Sequence, residues 1–102
     1  MYIRLSENKT KQYYRHLLAD TIAIVDEHIL IHQDVLWLHI KEQLTDIKLN
    51  VVDNDNAGDW EDVYNKYDIG TIAIQLFQDD EEMQERLFDA FSGAVHYHEM
   101  DE

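Results

Sequence analysis

The chain contains no proline in its 102 residues, and its three glycines, Gly58, Gly70 and Gly93, all fall in the second half. Proline costs a helix interior about 3 kcal/mol and glycine about 1 kcal/mol, so the first 57 residues carry no strong helix breaker. The fold class this favours is mainly α: a small bundle of about four helices, with room for a short terminal strand pair and with α+β as the alternative. The length suits one domain, residues 1–102.

Hydrophobic spacing places the elements. From Ser6 as N-cap, Tyr14, Leu18, Val25 and Ile29 recur at helical intervals, with Thr21 and Ile22 between them. The competing reading is a hairpin, because Thr21 to Val25 and Ile29 to Ile31 are rich in β-branched residues. A second helix is expected from Asp34, with Leu36, Ile40, Leu44 and Ile47 on one face and Lys48 at its C-terminal end. Residues 69–77 are apolar and fit a buried helix or a strand equally well.

The last helix is the most legible. Asp79, Asp80, Glu81 and Glu82 open it favourably for the helix dipole, and Met83, Leu87, Ala90, Phe91 and Ala94 form its apolar stripe. Glu81, Glu82, Glu85 and Asp89 then share the outer face, neighbours lying about 5–6 Å apart. Val95 to His98 is expected as a short strand beside Tyr2-Ile3-Arg4, followed by a frayed end. The string Thr-Ile-Ala-Ile occurs at residues 21–24 and again at 71–74, but its flanks differ and it does not mark a repeat.

Charge is divided unequally. Residues 1–50 hold six Lys/Arg against seven Asp/Glu, net −1, whereas residues 51–102 hold two against fifteen, net −13 of the total −14. With hydrophobic residues at 45%, the chain is too apolar for a disordered acidic tail. A field of this sign repels nucleic acid and anionic lipid and speeds encounter with basic proteins, so no direct nucleic-acid or membrane partner is expected. Cysteine is absent, which removes disulfides, thiolate metal sites and a cysteine nucleophile and suits a reducing cytoplasm. Met1 to Glu7 has no apolar run of signal-peptide type, and the reading is a cytoplasmic protein.

Several constellations compete to carry chemistry. Asp53, Asp55, Gly58, Asp59 and Glu61 occupy positions 1, 3, 6, 7 and 9 of an EF-hand-type loop, but Ala57 and Tyr64 replace two of its ligands, so a solvated turn is the better reading. His28, His32 and His39 would lie within about 60° of one another on one helix, a spacing that suits a metal-dependent enzyme or sensor; the glutamate of the zincin motif is missing. Ser6 and Ser92 lie in no nucleophile elbow and no glycine-rich phosphate loop exists, so no enzyme, catalytic residue or cofactor is assigned.

The remaining candidate is a protein-binding surface. Asp59, Glu61 and Asp62 with the Glu81, Glu82, Glu85 and Asp89 ridge supply the acidic rim, and Tyr64 is the candidate aromatic anchor, with Trp60, Tyr67 and Tyr97 nearby. The segments Asp59-Trp60-Glu61-Asp62-Val63-Tyr64, Tyr67-Asp68 and the helix from Asp79 to Asp89 resemble, in size, charge and layout, the acidic bacterial immunity proteins that neutralise nuclease toxins of the bacteriocin and contact-dependent-inhibition types. That resemblance implies an inhibitor that binds a basic nuclease toxin. A DNA mimic, or a phage-type inhibitor of a nucleic-acid-binding protein, would use the same acidic surface.

Overall fold

A computed structural model of the protein describes residues 2–32, 34–53, 61 and 65–102. Among the described residues the main elements are four α-helices: α1 (Lys11–His32), α2 (Val35–Ile47), α3 (Ile69–Leu76) and α4 (Glu81–His96). Short 3-10 turns at Leu5–Glu7 and Tyr97–Glu99 lie near the two ends, and a π-helical turn, Lys48–Asp53, prolongs α2. No strand occurs among the described residues; the single β-type pairing is an isolated parallel bridge between Thr10 and Asp101.

Helix α1 is the spine. Tyr14, Leu17, Leu18, Thr21 and Val25 are buried along it, a spacing of three and four that turns one continuous face to the core. The hairpin alternative for residues 21–31 is thereby excluded, because burial on one helical face outweighs the β-propensity of Ile22, Ile24 and Val25. Ser6 does not start this helix. It sits in the first 3-10 turn, and Thr10 takes the capping role, its hydroxyl accepting from the Tyr13 amide at 3.1 Å.

The start of α2 follows the expected chemistry: the Asp34 carboxylate accepts from the Leu36 amide at 3.1 Å. Ile40, Leu44 and Ile47 then face α1. The ambiguous stretch resolves as helix over Ile69–Leu76 with Phe77 as its C-cap, Ile69 and Ala73 buried and α3 packed against α4. On α4, the Asp80 carboxylate accepts from Met83 N at 3.2 Å, and Met83, Leu87, Ala90 and Ala94 close the core. Gln43, buried on α2, accepts from the amides of Asp68 and Ile69 at 3.0 and 3.2 Å and so satisfies the otherwise unpaired N-terminus of α3.

The expected terminal strand pair does not form. Helix α4 runs on through His96 and Tyr97 turns inward, its ring 5.6 Å from that of Tyr14. Burying these aromatics on the bundle wins over the local strand propensity of Val95 to His98. The chain end is also tied down: Lys11 N donates to the Asp101 carbonyl at 2.7 Å, and Arg15 reaches the Glu102 carboxylate at 2.5 Å.

Thr21 is fully buried in this core, and its hydroxyl has no hydrogen-bond partner among the described residues. An unmade bond costs more than the hydroxyl contributes, so Thr21→Val, nearly equal in shape, is expected to stabilise the fold by about 1 kcal/mol. Urea unfolding checks this as a higher midpoint at unchanged slope; a lower midpoint would contradict it.

Candidate protein-binding surface

The acidic face begins where α3 gives way to α4. Asp79, Asp80, Glu81 and Glu82 are all exposed and consecutive. They follow α3 because a helix start favours anions, with Asp80 as the cap and Glu81 and Glu82 in the first turn. Among the described residues, one cation answers them: Arg86 lies one turn on, its Nε 3.4 Å from the Glu82 carboxylate.

Farther along α4 the expected ridge changes character. Glu85 is half-buried, 3.5 Å from the Arg4 guanidinium. Asp89 is not on the outer face at all, being 4% exposed. Its carboxylate accepts from Tyr2 Oη at 2.5 Å, from Arg4 Nε and Nη2 at 3.0 and 2.9 Å, and from the Leu5 amide at 3.1 Å. Burial opposes its charge, but these hydrogen bonds outweigh it and hold the carboxyl below the usual carboxylate range. Asp89 is therefore the anchor of the N-terminal segment and is withdrawn from the binding surface.

Of the other expected surface residues, Glu61 is exposed, whereas Asp59, Asp62 and Tyr64 lie outside the described residues, as do Trp60 and the bulk of the calcium-type loop. Tyr67 and Tyr97 are core side chains rather than anchors. Tyr67 donates to the Asp46 carboxylate at 2.6 Å, and burial first, then that bond, raises its hydroxyl pKa.

The apolar component comes from residues the sequence pattern did not single out. Ile74 and Leu76 stand exposed at the end of α3, just before the acidic run. Phe88 is more than one-third exposed and lies three residues from Glu85 and seven from Glu81, hence on the same side of α4. The available signal was that Phe88 falls off the apolar stripe of α4. For residues 69–77, the open choice between helix and strand left their facing undefined.

The three histidines do not assemble. The link after α1 sends His39 onto α2, where its Nε2 lies 3.1 Å from Asp68 and 2.7 Å from Gln43 Nε2. The Gln43 and His39 hydrogen bonds, the first the stronger influence, lower the Asp68 pKa. His28 stacks flat on Trp37 at 4.3 Å, with His32 behind it at 6.1 Å. Among the described residues, no group of three or more His, Asp or Glu side chains is placed to hold a metal ion. An open groove of about 610 Å³ runs beside α2 between Leu38, Leu49 and Tyr67, and both of its lysines are engaged in ion pairs, Lys41 with Asp26 and Lys66 with Asp46.

No protein-family model matches the chain, and no curated protein or solved structure matches it significantly. No described helix is long and apolar enough to cross a membrane.

Proposed function

We propose that this chain is an acidic inhibitor of the immunity type, which binds and neutralises a basic protein partner, a nuclease toxin in the first instance. The observation that carries the reading is the exposed run Asp79 to Glu82 bordered by exposed Ile74, Leu76 and Phe88. Long-range attraction by the acids raises the encounter rate with a Lys/Arg-rich surface, and the apolar side chains provide the contact that becomes dry once the two meet. Such an inhibitor acts in the cytoplasm, where a nuclease would reach its substrate. Asp89 contributes indirectly, by fixing the N-terminal segment against α4.

The test is affinity capture on the immobilised protein, followed by purification of the captured protein and titration of its nuclease activity. Support is a basic nuclease silenced at one equivalent; a basic nucleic-acid-binding protein without nuclease activity would favour the mimic, and an acidic partner would discard both. For the captured nuclease, the variant Asp79→Lys/Glu81→Lys/Glu82→Lys is expected to associate at least about tenfold more slowly at low salt and to lose most of its salt dependence. Circular dichroism should show the helices retained, because each reversal near the helix start costs only about 0.3–1 kcal/mol. An association rate unaffected by the triple reversal would remove this surface from the interface.

A further inference from the structure

The groove beside α2 holds a nitrogen that faces a donor and an acceptor at once. His39 Nε2 lies 2.7 Å from Gln43 Nε2 and 3.1 Å from a carboxylate oxygen of Asp68. Gln43 cannot turn its amide over without loss, because its Oε1 accepts from the Asp68 and Ile69 amides at 3.0 and 3.2 Å. Its Nε2 is therefore the atom turned toward His39 and Asp68, and a side-chain amide nitrogen only donates. One of its two hydrogens goes to the Asp68 carboxylate, which leaves the other for His39.

A ring nitrogen that accepts a hydrogen bond must present its lone pair. The neutral His39 ring consequently carries its hydrogen on Nδ1 and accepts from Gln43 at Nε2. Protonation adds a hydrogen at Nε2, which sets donor against donor across 2.7 Å and makes the Asp68 carboxylate the favourable partner. The imidazole is the member that yields: Gln43 is 8% exposed and held by two backbone amides, whereas the His39 side chain is 47% exposed.

We infer that His39 is a two-position latch between α2 and the start of α3. Neutral, it takes a hydrogen from Gln43; charged, it gives its own to Asp68, the residue immediately before α3. Lys41, Glu42 and Asp46 of α2 and Lys66 ahead of α3 line the same groove. Lys41 is paired with Asp26 of α1 and Lys66 with Asp46, so among these groups only the negative charge of Glu42 adds to that of Asp68 around the ring. The tie between α2 and α3 thus changes hands, and does not open, over the interval between about pH 8 and pH 5 in which an imidazole changes charge.

Nuclear magnetic resonance of the isotope-labelled full chain tests both positions. At about pH 8 the nitrogen signals of His39 should show a hydrogen on Nδ1 and none on Nε2. As pH falls toward about 5, Nε2 should gain its hydrogen and the Asp68 carboxyl signal should shift at the same midpoint, above the range in which a carboxylate itself titrates. His39→Phe should abolish that Asp68 shift. Gln43→Glu keeps an oxygen for the two amides but removes the donor, and should place a hydrogen on Nε2 already at about pH 8. The wild type decides the first position without any variant, since a hydrogen on Nε2 at about pH 8 overturns the inference. An Asp68 signal that ignores His39, a shift that survives His39→Phe, or a helical Gln43→Glu chain with Nε2 still bare overturns it as well.

Discussion

Asp89→Ala should lower the unfolding free energy by about 3 kcal/mol. The substitution leaves the buried Leu5 amide unpaired, at about 1–3 kcal/mol, and deletes charge-assisted bonds from Arg4 together with the bond from Tyr2. The Arg4 side chain is 38% exposed and can return to water, which keeps the cost toward the low end of the roughly 3–5 kcal/mol seen when a buried pair is broken. Glu85→Ala is the control: its contact with the same guanidinium at 3.5 Å is half-solvated, and removing it should cost at most about 1 kcal/mol.

The same carboxylate makes stability depend on pH. Its folded-state pKa is lowered relative to the unfolded chain, so its stabilisation is complete above about pH 4 and is lost as pH falls through the folded value. Asp46 and Asp68 are shifted in the same direction, the first chiefly by the Tyr67 hydroxyl and the second by Gln43. Denaturation followed between about pH 6 and pH 3 should therefore show the wild type losing stability more steeply than Asp89→Ala. Parallel curves for the two proteins would mean that Asp89 titrates normally and that its hydrogen bonds contribute little.

The second large effect runs against the general rule for helices. Gly93 lies inside α4, where exchanging glycine for alanine ordinarily stabilises by about 1 kcal/mol. Here a Cβ would lie 2.5 Å from Cδ1 of Tyr14 and 2.8 Å from Cδ2 of Leu5. Tyr14 is fully buried and its hydroxyl donates to the Ala90 carbonyl at 2.5 Å, so the ring cannot swing away without breaking that bond. Gly93→Ala should destabilise by about 2 kcal/mol net, as overpacking outweighs the gain in propensity. If the melting temperature rises instead, the approach of α1 to α4 is looser than the Tyr14 ring implies.

The helical character of the chain was legible because local signals agreed. Asp34 and Asp80 sit where caps belong, and the stripes through Ile40 and Leu87 are the ones that became buried. Disagreement arose where a distant partner decided. The intervals along α4 group Asp89 with Glu82 and Glu85, and only Tyr2 and Arg4, more than eighty positions away, turn it from surface acid into buried anchor. The choice of Thr10 over Ser6 as cap has the same origin, because Leu5, held by Asp89 on α4, keeps the residues around Ser6 out of α1. On the candidate surface, the acids at 79–82 could be read from composition. The exposure of Ile74, Leu76 and Phe88 could not, since it depends on how α3 and α4 pack.

The bonds from Tyr2 and Arg4 to Asp89, and from Lys11 to Asp101, join segments more than eighty positions apart in sequence. During synthesis residues 2–11 emerge more than eighty positions ahead of these partners. Helices α1 and α2 can pair while the ribosome is still at work, but the segment ahead of them waits for α4. Emergence of α4 is thus the event that seals residues 2–5 onto the bundle.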